Sequence, residues 1–215
     1  MDLKKIKTND GSITFHNSEY DETYHSNTGA EEEALKKFVE PSKLEGFSEV
    51  KILDFCFGLG YNSACAIDYF KGAKIEIVGL ENDEKILNEI LNVESNFKCY
   101  SFFKKLVTLS DRERVVTFEN CKIKLIVDDA CKSIIDLEKN SFDLVYFDPF
   151  SPKKCPELWT EEVFSQVYRV LKKGGRLMTY SCASAVRKGL KTVGFEVIDG
   201  PCVGRRSPST IAIKK

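Results

Sequence analysis

Short apolar runs alternate with amphipathic runs of helix length from residue 50 to the end of the chain, and this alternation restricts the fold more than any other feature. The predicted strands are 50–55, 75–80, 123–127, 142–147, 176–180, 195–198 and 210–213. The predicted helices are 62–70, 83–92, 160–171 and 183–193, the third being ended by Gly174 and Gly175. Strands separated by helices form mostly parallel sheets. We therefore expect an α/β fold, with helices on both faces of a mostly parallel twisted sheet.

Residues 1–45 differ from the rest of the chain. They are polar, with a turn at Asn9-Asp10-Gly11 and a helix predicted at 31–39. Residues 93–120 break the alternation, and we expect a further helix there with a lid or a short hairpin. A length of 215 residues suits one domain. We therefore predict a small N-terminal cap, 1–45, on a core formed by 46–215.

Charge, hydropathy and cysteine spacing exclude several classes of protein. The formal net charge is -1, so nucleic-acid binding requires a local basic face. We find neither an apolar run of membrane-span length nor a signal peptide, and we expect a cytoplasmic protein that does not contact a membrane. The eight cysteines include no CxxC pair, and there are only two histidines, so we expect no metal site. The cysteines are interpreted as reduced core residues.

The first predicted strand is followed by a glycine-containing turn. Asp54 comes near its end, and Gly58 and Gly60 open the next helix. Glycine lets the backbone turn tightly and approach a ligand, while the helix N-terminus offers free N–H groups. A single Gly-x-Gly also fits an ordinary strand-to-helix turn, so the motif needs support from the other strand ends.

Acidic residues follow the second and third strands. Glu81 comes 27 positions after Asp54, where a carboxylate can accept both hydroxyls of a ribose, as in NAD enzymes. Asp129 precedes Ala130, and we predict that its carboxylate accepts a hydrogen bond from an adenine amino group. Asp128 is expected to cap the next helix or to face solvent. These positions share the sheet edge where parallel α/β proteins bind ligands.

The fourth predicted strand delivers a carboxylate into a stiff loop. Asp148 ends this apolar strand and precedes Pro149, which forces extended backbone at Asp148. An Asp-Pro pair is also a common turn opener. Beside the other three strand ends, Asp148 is instead interpreted as an active-site residue.

Unusual motifs extend along nearly the whole chain. They are Thr8-x-Asp10-Gly11-Ser12, Tyr24-His25-Ser26, Gly29-Ala30-x-x-Glu33-Ala34, Phe55-x-Phe57-Gly58-x-Gly60-Tyr61-Asn62, Phe147-Asp148-x-Phe150-x-Pro152, Pro156-x-x-Trp159-Thr160, Val186-Arg187-x-Gly189-Leu190-x-x-x-Gly194-Phe195 and Gly204-Arg205-Arg206. With the strand ends, they resemble class I S-adenosylmethionine-dependent methyltransferases of Rossmann-like fold. More narrowly, they resemble the methyltransferase half of the MnmC family, which acts on the tRNA wobble uridine. Cys56 and Cys202 stand where glycine is expected in that family.

The resemblance implies S-adenosyl-L-methionine (SAM) as cofactor. It implies methylation of the aminomethyl group of 5-aminomethyluridine, or its 2-thio form, at the wobble position of a tRNA anticodon loop. Asp148 is then the catalytic residue that holds the amine and stabilises the charge that forms on it. The expected cofactor-binding residues are Asp54, Gly58, Gly60, Glu81, Asp129, Tyr24 and Glu33.

The resemblance also suggests where RNA binds. The expected cations are Lys153, Lys154, Arg205 and Arg206, with Arg187 and Lys188 as further candidates. The target base is expected to stack on Phe150 or Trp159, although Trp159 is interpreted first as a core residue. Many bacterial MnmC proteins carry an FAD-dependent oxidase domain. We expect no such domain in this chain, which would then be a stand-alone form.

Two alternatives remain open from the sequence. Polyamine aminopropyltransferases also combine an acidic site with a Tyr-His motif, but their first loop resembles Gly-Gly-Gly-Asp-Gly, unlike Phe57-Gly58-Leu59-Gly60 here. They also have a longer β-rich N-terminal domain. The other alternative is a non-catalytic binding module with a methyltransferase fold, for which intact cofactor residues are not required.

Overall fold

The computed structural model describes residues 2–43, 47–204 and 206–215. The strands are β1 (Leu3–Lys7), β2 (Ile13–Asn17), β3 (Glu22–Thr23), β4 (Glu49–Phe55), β5 (Lys74–Glu81), β6 (Glu113–Phe118), β7 (Cys121–Val127), β8 (Phe142–Phe147), β9 (Leu171–Thr179), β10 (Phe195–Asp199) and β11 (Thr210–Lys214). The α-helices are α1 (Ala30–Glu33), α2 (Tyr61–Tyr69), α3 (Glu84–Glu89), α4 (Tyr100–Val107), α5 (Ala130–Ser133), α6 (Glu161–Val170) and α7 (Ser184–Thr192).

Eight strands form the main sheet, in the order β10-β11-β9-β8-β4-β5-β7-β6. The central strand β4 pairs in parallel with β5 and β8, and parallel pairing continues to β7 and β9. β6, β10 and β11 are antiparallel to their neighbours. The prediction of a mostly parallel sheet is confirmed. Because β4, β5, β7 and β8 run in the same direction, the residues after them meet at one edge.

Each face of the main sheet has its own apolar layer. On one face, Ile52 belongs to a cluster with Ala64 of α2 and Phe103 of α4. On the other, Phe55 belongs to a cluster with Phe164 of α6. Successive side chains of a strand point to opposite faces, so β4 supplies both layers. In the described ranges, no helix is long and apolar enough to cross a membrane.

The N-terminal segment contains three strands that its sequence pattern does not predict. β1, β2 and β3 form an antiparallel sheet of three strands. The sequence does not predict β1 because three of its five residues are lysines and only Leu3 and Ile6 are apolar. The predicted turn at residues 9–11 is present. The Asp10 carboxylate holds it by accepting from Thr8 Oγ1 at 2.7 Å and the Ser12 N–H at 2.9 Å.

The helix predicted at 31–39 changes its winding along its length. The first turn, α1, continues into a π-helix at Ala34–Val39 and then a 3₁₀ turn at Glu40–Ser42. The wider turns of a π-helix are rare and often occur at functional sites. Lys37, within the π-helix, lines the cavity described below.

The structure decides two further predictions, for residues 93–120 and for the end of α6. Residues 93–120 contain α4 and then β6, which forms a hairpin with β7, so the hairpin rather than a lid is correct. The prediction that Gly174 and Gly175 end a helix is wrong. α6 ends at Val170 because Leu171 pairs with Phe142 and begins β9. Both glycines lie inside β9, where the register with β8 shifts.

All eight cysteines are free thiols. The buried ones are Cys65, Cys99, Cys121 and Cys155. Cys56, Cys131 and Cys182 are half-buried. The core interpretation is wrong for Cys202, which is exposed in the loop before β11 and donates to the Arg206 carbonyl oxygen at 3.2 Å.

Candidate functional site

A cavity of about 760 Å³ opens at the sheet edge where β4, β5, β7 and β8 end. Residues from three parts of the chain complete its wall. The cap contributes Tyr24 and His25, the π-helix contributes Lys37, and the loop before β11 contributes Val203 and Gly204. The volume is in the range of sites for small molecules and cofactors.

The turn after β4 has left-handed backbone at three positions. The φ angles are 68° at Cys56, 54° at Gly58 and 75° at Gly60. Gly58 lines the cavity, where its missing side chain leaves the backbone open to a ligand. Gly60 does not line the cavity. A Cβ atom there would lie 2.6 Å from the Phe57 ring, so Gly60 is required for packing.

Asp54 lies beneath this turn rather than in the cavity wall. Its side chain is fully buried, and Ser63 Oγ of α2 donates to Asp54 Oδ2 at 2.5 Å. Burial raises the pKa of Asp54 well above its ordinary value. Asp54 shares a sheet face with Ile52, so it points toward α2. The structure thus gives Asp54 a contact that ties β4 to α2, and it does not place Asp54 with the other predicted cofactor residues.

Glu81 faces the cavity and is tied to the turn after β4. Its Oε2 accepts from the Gly58 N–H at 2.8 Å, and its Oε1 accepts from the Asn82 and Asp83 N–H groups at 2.9 and 3.0 Å. Burial raises the pKa of Glu81, although the three hydrogen bonds lower it. The carboxylate is therefore held in one orientation at the cavity wall.

Asp129 lines the cavity at the end of β7 and caps α5. Its Oδ1 accepts from the Cys131 N–H at 2.9 Å. Asp129 rather than Asp128 is the cap, whereas the alternative expectation for Asp128, that it faces solvent, agrees with its 35% exposed side chain. Asp128 pairs at the surface with Arg112 at 2.6 Å, and its Oδ1 accepts from the Asp129 N–H at 2.7 Å. The second acid is thereby kept out of the cavity.

Asp148 lies deep in the cavity but keeps a face open to it. Asn62 Nδ2, from the first turn of α2, donates to Asp148 Oδ2 at 3.0 Å. Burial raises the pKa of Asp148 to about 7, and the nearby Glu33 carboxylate also raises it, while the Asn62 hydrogen bond and the Lys37 charge lower it. A carboxylate with this pKa can hold or release a proton near neutral pH.

The sequence predicts no separate role for Asn62, which appears there only as the last residue of the Phe55–Asn62 motif. It lies two positions after Gly60, at the start of the helix that the glycine turn opens. Its contact with Asp148 spans 86 positions, so only the fold reveals it. The signal that the sequence offered was the position of this amide in the first turn of the helix after the glycine loop.

Two cap residues predicted for the cofactor pocket, Tyr24 and Glu33, both line the cavity. The Tyr24 hydroxyl donates to Asp83 Oδ2 at 2.8 Å, which joins the cap to the end of β5. Burial raises the pKa of Tyr24. Glu33 is buried, accepts from the Ser26 N–H at 3.0 Å and forms an ion pair with buried Lys37. Lys37 was absent from the sequence prediction, although its i,i+4 spacing from Glu33 was visible.

Aromatic side chains form one side of the cavity mouth. Phe150 stacks on Tyr20 with ring centroids 4.7 Å apart and packs at a tilt against Tyr24 at 4.8 Å. Trp159 is buried and donates from Nε1 to the Phe150 carbonyl oxygen at 2.8 Å. Its burial confirms the interpretation of Trp159 as a core residue, and its hydrogen bond stabilises the loop that carries Phe150.

The basic side chains predicted to bind RNA differ in their exposure and in their ion-pair partners. Lys153, Lys154 and Arg206 are exposed, and Lys154 Nζ lies 3.4 Å from Asp21 Oδ2. Arg205 lies outside the described residues. Arg187 is engaged within the chain, pairing with Asp199 at 2.6 Å and donating to Thr210 Oγ1 and the Ser209 carbonyl oxygen. Lys188 is exposed and carries its charge at the surface of α7.

The cavity residues suit the groups of SAM. Carboxylates outnumber cations along the described wall, which favours a ligand carrying a sulfonium and an ammonium. Glu81 and Asp129 offer acceptors for ribose and adenine, and Gly58 allows close backbone approach. In the described ranges, no group of three or more His, Cys, Asp or Glu is placed to hold a metal ion.

The chain is similar to known proteins over most of its length. An uncharacterized protein of Methanocaldococcus jannaschii is 34% identical over 214 residues, which cover 97% of this chain and 59% of that protein. The tRNA 5-methylaminomethyl-2-thiouridine biosynthesis bifunctional protein MnmC of Campylobacter concisus is 29% identical over 219 residues, covering 95% of this chain and 35% of that protein. The chain thus spans less than two thirds of either curated relative.

A solved structure and a family model extend these matches. The crystal structure of MNMC2 from Aquifex aeolicus superposes with a TM-score of 0.84 at 32% identity, covering 98% of this chain and 70% of that one. The model of a family described as S-adenosyl-L-methionine-dependent methyltransferase matches residues 96–215, more than half of the chain. Together with the cavity at the ends of the parallel strands, these findings show that the chain belongs to the S-adenosyl-L-methionine-dependent methyltransferase family.

Proposed function

We propose that this protein is an N-methyltransferase that methylates the aminomethyl group of 5-aminomethyluridine, or its 2-thio form, at the wobble position of tRNA. The observation that carries the proposal is the placement of Asp148. It ends β8 in the same cavity as Glu81 and Asp129, and its pKa is raised to about 7 by burial. The printed name of the MnmC relative, tRNA 5-methylaminomethyl-2-thiouridine biosynthesis protein, supports the substrate class.

The proposed roles divide between cofactor and amine. Glu81 accepts the ribose hydroxyls, Asp129 accepts from the adenine amino group, and Gly58 lets the backbone approach the cofactor. Asp54 and Gly60 shape the turn from below, as their buried contacts indicate. When bound, SAM supplies an electrophilic methyl group on a sulfonium, open to in-line attack by an amine.

Asp148 is proposed to position the amine and to receive its proton. Asn62 binds Oδ2, and in the described part of the chain Oδ1 has no hydrogen-bond partner. Oδ1 can therefore accept from the substrate amine. A carboxylate with a pKa of about 7 can take a proton from an ammonium group, so that the free lone pair is available for attack. Once Asp148 has passed this proton to water, its carboxylate is charged again and stabilises the methylammonium product.

The RNA is proposed to meet the rim of the cavity rather than its interior. The acidic wall repels phosphates, so the target base must leave its neighbours and enter alone. The Tyr20–Phe150 pair at the mouth offers an aromatic surface for that base. Lys153 and Arg206, which are exposed, are proposed to contact flanking phosphates. We further propose that residues 1–45 act as a cap on a single domain, and that the protein works with tRNA in the cytoplasm.

The test is a methylation assay with labelled SAM. One tRNA carries 5-aminomethyluridine at the wobble position, and a matched tRNA carries unmodified uridine there. We expect label only in the first, recovered as 5-methylaminomethyluridine by nucleoside mass spectrometry. Labelling of both RNAs, or of neither while SAM binds, contradicts the substrate assignment. Aminopropyl transfer from decarboxylated SAM to putrescine would favour the aminopropyltransferase alternative.

A further inference from the structure

Lys37 is a buried cation in the wall of the cavity. Its side chain is 6% exposed, and that of its ion-pair partner Glu33 is 10% exposed. Burying two charges costs several kcal/mol, which their mutual attraction offsets only when further hydrogen bonds are formed. Glu33 has such a bond from the Ser26 N–H at 3.0 Å. The pair is therefore a costly feature placed where a ligand can reach it.

The Lys37 ammonium group has N–H donors that its ion-pair partner does not use. An ammonium group has three N–H donors, and within the described ranges Glu33 is the only hydrogen-bond partner of Lys37 Nζ. The other basic side chain on the described wall is His25, which is buried against Thr14 Oγ1 at 3.0 Å. Burial lowers the pKa of His25 to about 4, so it is neutral at pH 7. Lys37 is thus the cationic side chain that this part of the wall offers to a ligand carboxylate.

The position of the pair follows from the order of strands. Asp129, Glu81 and Gly58 follow β7, β5 and β4, which are neighbours in that order. A nucleoside held by Asp129 and Glu81 directs its 5′ substituent toward β4 and β8. The Glu33–Lys37 pair lies on that side, since both charges act on Asp148 after β8. It can therefore meet the amino-acid end of SAM beside the reacting centre.

We propose that Lys37 binds the α-carboxylate of SAM while Glu33 binds its α-ammonium, and that this pair selects SAM over decarboxylated SAM. The inference rests on the proposed use of the cavity for the cofactor. An ion pair is complementary to a zwitterion, because each charge of the ligand meets its opposite. Decarboxylated SAM retains the ammonium but leaves Lys37 without its new acceptor. Both molecules carry a methyl group on an electrophilic sulfonium, but decarboxylated SAM also carries a 3-aminopropyl group, so excluding it keeps aminopropyl transfer from competing with methyl transfer.

Calorimetry with three nucleosides tests the proposal. The ligands are SAM, decarboxylated SAM and 5′-methylthioadenosine, which lacks both amino-acid charges. We expect wild type to prefer SAM over decarboxylated SAM by about 10- to 100-fold, the range for a charge-assisted hydrogen bond. Lys37→Met should reduce this preference to near unity, with methylthioadenosine affinity unchanged. Lys36→Met is the matched control, because Lys36 also pairs with an acid four positions earlier but lies at the surface.

A second variant separates recognition from folding. Lys37→Met leaves the Glu33 carboxylate buried without its partner, so Glu33→Gln/Lys37→Met is measured beside it. In the double variant we expect equal, weak binding of SAM and decarboxylated SAM. If either variant keeps the wild-type preference, the carboxylate is bound elsewhere, such as by backbone N–H groups of the 58–60 turn, and the proposal is overturned. Wild type that binds SAM without any preference overturns it as well. Wild type that binds none of the three nucleosides overturns the cofactor assignment itself, whereas failure of tRNA methylation alone leaves this inference standing.

Discussion

Replacing Asp148 by asparagine should make the protein more stable and less active. The raised pKa of Asp148, about 7 against an ordinary 3.8, means that folding favours the protonated carboxyl. Below pH 3.8 both folded and unfolded chains hold the proton, and the full stability is present. As pH rises from 3.8 through 7, the unfolded chain gives up its proton more readily, so wild type loses stability. Well above pH 7, wild type has lost all the stability that the proton on Asp148 contributes.

The size of this loss follows from the pKa difference. At about 1.4 kcal/mol for each pH unit, the gap corresponds to about 4 kcal/mol as an upper bound. Because one face of Asp148 is open to the cavity, solvent screens part of the charge, and we expect about 2 kcal/mol. Asparagine has no charge to bury, and its carbonyl oxygen can still accept from Asn62. The variant should exceed wild type by about 2 kcal/mol at pH 8 and by almost nothing at pH 4.

Activity should change in the opposite direction. Loss of a positioned proton acceptor typically costs about 10²- to 10⁴-fold, and the rise of the wild-type rate through pH 7 should disappear from the variant. Urea unfolding at pH 4, 6 and 8 gives stability, and single-turnover methylation of tRNA carrying 5-aminomethyluridine gives the rate. SAM affinity is the control and should stay near normal. A variant that is less stable than wild type at pH 8, or that methylates within a few-fold of wild type, refutes the reasoning.

Other residues of the site give three further predictions. Cys56→Gly should stabilise the protein by roughly 0.5–1 kcal/mol, because a φ of 68° strains any side chain there; denaturant midpoints measure this, and Cys56→Ala should show no gain. Glu81→Ala and Asp129→Ala should each weaken SAM binding by roughly 1–3 kcal/mol, and unchanged calorimetric affinity in both would remove them from the cofactor site. Neutralising Lys153 and Arg206 should weaken tRNA binding and flatten its salt dependence by about one unit of slope for each lost phosphate contact, with SAM affinity unchanged. An unaltered salt slope would place the RNA on another face.

The fold was predictable because its central strands are apolar and their ends carry the chemistry. Glu81 and Asp129 could be located from spacing alone, since parallel strands bring their carboxyl ends to one edge. Spacing does not predict, however, toward which face of the sheet an individual side chain points. Asp54 ends up beneath the turn with Ser63 because strand residues alternate between faces, and the sequence does not say which face α2 covers.

The parts of the site that escaped prediction depend on long-range packing. Asn62 reaches Asp148 only when β8 lies beside β4. Lys37 lines the cavity from the π-helical segment Ala34–Val39, and the sequence carries no signal for that winding. Such contacts leave no periodic signal, since each joins residues far apart in the chain. The sequence motifs therefore located the residues at the strand ends, whereas Asn62 and Lys37, which lower the pKa of Asp148, were identified only in the structure.

The acidity of the cavity creates a conflict that Asp148 can resolve. Carboxylates attract an amine, but they also favour its ammonium form, which has no lone pair to attack a methyl group. The same crowding and burial raise the pKa of Asp148, so this carboxylate takes up a proton far more readily than an exposed one. Asn62 limits that rise by binding one oxygen, which keeps the group able to ionise near pH 7. A cavity lined by carboxylates can thus both bind the amine and remove the proton that blocks its reaction, provided that Asp148 is the most basic carboxylate the amine meets.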